Sequence, residues 1–181
     1  VKIMEKRAKL VVVKHTCLDD LFGAVAIISS TLDSETQGQA LIAKIKRQLN
    51  RVREKASLKS EKKIKTLLII GRNPDKLTNM YIIGGKDFLN ELLDAAGGVN
   101  AYSGDISYPS ISIKSVVAMS PDVIIELSAF NEGIKEEKVL GSWEKFPFIP
   151  AVKKRNITII RDSVWLIPGP RVPLVAEKMR R

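Results

Sequence analysis

Two side chains stand close enough in the chain to suggest catalysis. His15 and Cys17 are separated by one residue, and each is the only residue of its type. An imidazole beside a thiol could act as base to a nucleophilic sulfur. One thiol and one imidazole cannot close a zinc site, and a lone cysteine makes no internal disulfide. A small buried thiol next to a loop histidine is the favoured reading. No catalytic residue, resident metal or cofactor is therefore expected.

The charged side chains are distributed unevenly. Net charge is +10, and residues 44–65 hold ten basic residues against Glu54 and Glu61, which leaves +8 of it in that one stretch. Such a cluster can meet nucleic acid or anionic lipid. No aromatic residue interleaves with the cations to stack bases, so a solvated helix face is favoured over a nucleic-acid site.

The elements around these groups follow from apolar spacing. Residues 9–14 (KLVVVK) read as a short buried strand and residues 18–32 as a helix. Ser34 with Gln37 forms a capping box for a long helix over 34–58, whose stripe is Leu41, Ile45, Leu49, Val52 and Ala56. A polar joint follows. Beyond it, buried strands at 66–71, 121–127 and 156–161 alternate with helices at 87–96, 112–119, 136–145, 150–155 and from Arg171 onward. Gly97-Gly98 closes the first of these helices. The pattern predicts an α/β chain with a parallel or mixed sheet covered on both faces. Apolar residues make up 45% and charged residues 28%, a globular balance, and no apolar run approaches the ~20 residues that span a bilayer. No leader stands at Val1, and a start there suggests a processed or trimmed product.

Several stretches between residues 71 and 171 form a familiar order. They are Gly71-Arg72-x-Pro74, Tyr81-x-x-Gly84, Phe88-Leu89-x-Glu91-Leu92-Leu93-x-x-Ala96-Gly97-Gly98-x-Asn100 and Tyr108-Pro109-x-Ile111-Ser112. Ser120-Pro121-Asp122-Val123-Ile124-Ile125, Pro150-Ala151-Val152-Lys153 and Pro168-Gly169-Pro170-Arg171 complete it. In order and spacing this resembles the C-terminal lobe of the periplasmic substrate-binding proteins that serve ABC importers for cobalamin, ferric siderophores or haem. Those proteins have two α/β lobes joined by a single long helix. The resemblance thus implies a remnant of a first lobe at 1–33, the interlobe helix at 34–58, a joint at 59–65 and the second lobe at 66–181. It implies binding and delivery rather than catalysis, in a periplasmic or extracellular, cell-surface-associated protein. The ligand would be an iron complex or cobalamin, and this chain would carry one wall of its cleft. The implied partners are that metal chelate or corrinoid and the importer permease. No nucleic acid is expected. Membrane contact would come only through the permease or a lost lipid anchor, and a homodimer could form through residues 1–33.

The candidate ligand residues lie on loops. Asn100, Tyr102 and Tyr108 fall on an irregular segment between helices, and loops on a rigid scaffold concentrate binding residues. Trp165 and Arg171 follow the C-terminal end of a strand, where ligands of open α/β sheets sit. Trp165 could wall a macrocycle or catecholate, or pack inside the lobe. Tyr108 could instead brace its turn, and Arg171 could pair with a helix carboxylate. Trp143 and Phe146 are expected to fill the core, and Phe130 and Asn131 to stand at the rim. In the family an acidic residue docks the second lobe on arginines of the permease, and the position implied here is Lys114, a charge reversal. Two other readings remain: an enzyme on a related two-lobed scaffold, such as a chelatase, and a nucleic-acid module built on the basic helix.

Overall fold

The computed structural model describes residues 10–58, 63–73, 76–128 and 135–180. Two helices open it. Helix α1 (Leu18–Thr31) begins at Cys17, whose sulfur accepts the Asp20 N–H at 3.4 Å. Asp19 and Asp20 in its first turn suit the positive end of the helix dipole. The lone cysteine is thus a helix cap, only partly buried. Helix α2 (Glu35–Ser57) then runs unbroken for 23 residues, about 34 Å at 1.5 Å per residue. The two helices cross at Gly38, where a Cβ would lie 2.2 Å from Ser29 Oγ, so only glycine permits the approach.

The capping box expected at Ser34 does not form. Ser34 Oγ donates instead to the Ser29 carbonyl at 3.2 Å, because the tight α1–α2 turn brings that carbonyl closer than the helix N-terminus. The apolar stripe is nearly as expected, with Ile45, Leu49 and Val52 buried. Ile42 replaces Leu41 as the buried residue of its turn, and Leu41 packs half-buried against the same cluster.

From β1 (Ile64–Gly71) onward the chain builds one mixed sheet. Its other strands are β2 (Met80–Ile82), β3 (Gly98–Asn100), β4 (Ser110–Ile111), β5 (Val123–Leu127) and β6 (Ile157–Ile160). The order is β4-β2-β1-β5-β6, with β3 also paired to β1. Strands β3, β1, β5 and β6 run parallel, β2 pairs antiparallel with β1, and β4 pairs antiparallel with β2 at the edge. Alternation along β1 feeds two cores. Leu68 faces α2, α3 (Phe88–Ala95) and α7 (Val172–Arg180). Leu67 and Ile69 face α4 (Ile113–Met119), α5 (Glu136–Trp143) and α6 (Pro150–Lys153). Burying each such side chain stabilises the fold by roughly 1.5–3 kcal/mol.

Two expectations change here. Residues 10–15 join no sheet, and Val12 is 79% exposed. A strand needs a neighbouring ladder, and among the described residues none lies beside this segment. The two glycines after α3 also divide their work. Gly97 takes the left-handed conformation (φ 86°) that ends the helix, while Gly98 already belongs to β3, where a Cβ would meet Leu93 Cδ1 at 2.4 Å. Phe130 and Asn131 lie outside the described residues.

Candidate functional site

The loop from Ala101 to Pro109 is zipped onto the segment that precedes α3. Gly84 and Gly85 donate to the Ser107 and Gly104 carbonyls at 2.7 and 3.3 Å. Gly84 is obligatory, because a Cβ there would sit 1.7 Å from the Ile106 carbonyl oxygen. Asn100 anchors the loop from its other end. Its amide donates to the Ile83 carbonyl at 2.9 Å and accepts the Tyr102 N–H at 3.0 Å. Asn100 therefore shapes the loop, and it also borders the hollow beside Tyr102. Tyr102, half-buried, lines a hollow of about 370 Å³ with Asn90, Asp94 and Gly104.

Tyr108 is the exposed aromatic of this loop, at 51%. Its hydroxyl donates to Asp87 Oδ2 at 2.6 Å, while Asp87 Oδ1 caps α3 by accepting the Leu89 N–H at 2.8 Å. Burial pushes the Asp87 carboxyl above its usual range, against the Tyr108 and Leu89 bonds and the nearby His15 that favour its charge. Burial, reinforced by the bond to Asp87, pushes the Tyr108 phenol up to about 12. The segment before α1 is tied to the same place. The Phe88 N–H donates to the Thr16 carbonyl at 2.8 Å, and Glu91 accepts the Leu18 N–H at 3.1 Å. Burial raises the Glu91 carboxyl, and the Leu18 bond opposes that shift.

The second group of candidates separates. Trp165 lies in a short 3₁₀ turn (Ser163–Leu166) and is only 3% exposed, inside the cluster that joins α3, α7 and β5. Its ring is core packing, because the turn folds it under α7 rather than toward solvent. Arg171, just before α7, is exposed and borders a hollow of about 330 Å³ with Asp162, Leu174 and Lys178. Lys114 is exposed in the first turn of α4. The Pro168–Pro170 loop preceding Arg171 borders an apolar groove of about 500 Å³ that also touches Val13, His15, Val25 and Leu41.

The most tightly organised polar side chains are buried. Arg72 and Glu126 form a buried ion pair at the C-terminal ends of β1 and β5. Arg72 Nε reaches both carboxylate oxygens at 3.0 Å, and Nη2 reaches Glu126 Oε1, the Val139 carbonyl and Ser142 Oγ at 2.9, 3.2 and 3.0 Å. Trp143, fully buried as expected, donates its indole N–H to the same Glu126 oxygen. The set locks α5 to two strand ends. The available signal was Glu126 itself, a charge inside the buried run PDVIIEL, which demands a partner.

The match to known proteins extends over nearly all of these elements. Residues 2–164 fit the model of a family described as periplasmic binding protein. The chain belongs to the periplasmic binding protein family. It is 23% identical over 156 residues to an uncharacterized ABC transporter substrate-binding lipoprotein, YvrC, of Bacillus subtilis, covering 84% of this chain and 46% of that one. It therefore spans about half the length of that relative. Among solved structures, a possible iron-binding, periplasmic solute-binding protein of Staphylococcus epidermidis superposes with a TM-score of 0.83 at 23% identity, over 99% of this chain and 67% of the other. The periplasmic heme-binding protein BhuT, holding two hemes, gives 0.77 at 19%, over 93% and 63%. The vitamin B12 binding protein BtuF of Vibrio cholerae gives 0.73 at 18%, over 99% and 66%. Periplasmic binding proteins of this family are extracytoplasmic binding proteins for ABC transporters, not enzymes. The α/β architecture, the mixed sheet and the family expected from the motifs all stand.

Proposed function

We propose that this chain forms the second lobe, the interlobe helix and an edge of the first lobe of a protein that captures a metal chelate or corrinoid and passes it to an ABC importer. The observation that carries this reading is the superposition of nearly the whole chain, long helix included, on binding proteins named for iron, heme and vitamin B12. Residues 1–33 would be the first-lobe edge, 34–58 the connecting helix, 59–65 the joint and 66–181 the second lobe. On its cleft side, Tyr108, Tyr102 and Arg171 would meet the ligand, while Asn100 and Trp165 hold their loops in place. With its proton held toward Asp87, Tyr108 supports contact through a neutral phenol rather than through a phenolate on iron. Lys114 would stand where the lobe docks on the permease.

One wall buries about half of a ligand, whereas working pockets bury about 70–90%. Equilibrium dialysis with hemin, cyanocobalamin and a ferric hydroxamate should thus show micromolar or weaker binding of one of them, reduced by Tyr108→Phe or Arg171→Ala. Nanomolar affinity would overturn the single-wall reading. No binding of any of the three at millimolar ligand would overturn the ligand class.

A further inference from the structure

The basic face of α2 has no role in the lobe's fold. Lys44, Arg47, Arg51 and Lys55 follow one another at steps of three, four and four residues, so they share one helical face. All four are exposed. At 1.5 Å per residue they form a ridge about 16 Å long. Packing uses the opposite side, through Ile45, Leu49 and Val52. The ridge is also poorly neutralised from within. From Thr36 to Leu58 the only acidic residue is Glu54. Among the described residues Lys55 reaches Glu177 at 3.8 Å, and Lys44, Arg47 and Arg51 have no carboxylate within ion-pair distance. Lys46 and Arg53, by contrast, are engaged locally. Lys46 sits 4.7 Å over the Phe22 ring, and Arg53 donates to Asn50 at 3.0 Å.

We propose that this ridge docks on a membrane surface rich in anionic phospholipid. Charge complementarity supplies the attraction, and the rigid helix presents its cations together, with little ordering cost on contact. A further residue favours lipid over a polyanion in solution. Leu58 comes seven residues after Arg51, on the same face, and is 88% exposed. An apolar side chain at the end of a cationic ridge can enter the headgroup boundary while the cations stay at its surface. Single-stranded nucleic acid would ask for aromatic side chains to stack bases, and α2 has none.

The test compares sedimentation of the full chain with vesicles of phosphatidylcholine alone and with one-third phosphatidylglycerol. The expected result is binding only to the anionic vesicles, lost in about 1 M salt, where a Debye length of ~3 Å screens exposed charge. The triple variant Lys44→Gln, Arg47→Gln, Arg51→Gln should weaken that binding roughly 100-fold, and Leu58→Ser several-fold. A control triple, Lys145→Gln, Lys153→Gln, Lys154→Gln, carries the same net charge and should change it less than about threefold. Unchanged thermal melts would show that each variant is folded. Equal losses in both triples would reduce the effect to net charge and overturn the proposal. So would absence of binding to anionic vesicles, or tighter binding to a single-stranded oligonucleotide than to them.

Discussion

The sheet-bearing part of the molecule and the segment before α2 are similarly apolar in sequence, yet they end in different states. In β1, Leu67, Leu68 and Ile69 lie fully buried between two layers of helices. In the earlier segment Leu10, Val12, Ile27, Ile28 and Leu32 remain exposed, beside an open apolar groove. Neighbours make the difference. A strand flanked by other strands and roofed on both faces has somewhere to put every side chain, whereas α1 is covered along α2 and at its first turn beside α3, and its outer face stays open. In a longer protein of this family, a first lobe would naturally cover that groove.

The comparison breaks most sharply at Glu126. Replacing it with Ala strands a buried guanidinium and should cost about 3–5 kcal/mol in denaturant unfolding. Adding Arg72→Met to Glu126→Leu should recover most of that loss, because an apolar pair of similar volume suits the site. If the single variant costs no more than a surface change, the lock described here is not what fixes α5 to the sheet.

A second substitution separates the two regions. Gly38→Ala forces a methyl into Ser29, so overpacking should cost about 1–3 kcal/mol. Hydrogen exchange should rise in α1 while the β1–β5 ladder keeps its protection. Uniform loss of protection would mean that α1 and the sheet unfold as one unit.

The exposed face of α1 should matter more for association than for stability. Changing Ile27, Ile28 and Leu32 to Gln should alter unfolding by at most about 0.5 kcal/mol each. Mass in solution should nevertheless fall toward the monomer, because the unchanged chain would self-associate or aggregate through this face. A parent chain that is already monomeric at high concentration would refute the homodimer proposed for residues 1–33.

The smallest expected effect is at alkaline pH. The Tyr108 pKa is raised on folding, so its neutral form favours the fold, and that contribution is lost as pH rises from 10 through about 12. Tyr108→Phe should flatten this part of the stability curve. An equally steep decline in the variant would assign it to other groups.

Legibility followed the same division. The helices and the strands β1, β5 and β6 were readable to within a few residues, since apolar period and cap residues such as Asp87 and Ser112 are local signals, whereas β2, β3 and β4, only two or three residues each, are too short to show a period and were not read. The strand read at residues 9–14 failed because pairing is not local. The candidate site was only partly readable. Tyr108 was correctly placed on a loop, but its bond to Asp87 joins positions 21 residues apart that no periodicity connects. Trp165 could have faced a cleft or the core, and the fold put it in the core.

What the sequence determined by itself was therefore the family, the α/β order and the long basic helix, all carried by motifs and spacing within single elements. Only the tertiary structure decided which aromatic is exposed, that Gly38 and Gly84 permit close approaches, and that Arg72 and Glu126 find each other 54 residues apart. Those outcomes depend on which surfaces meet across the sheet, and a buried charge or a glycine acquires its meaning only from what lies opposite.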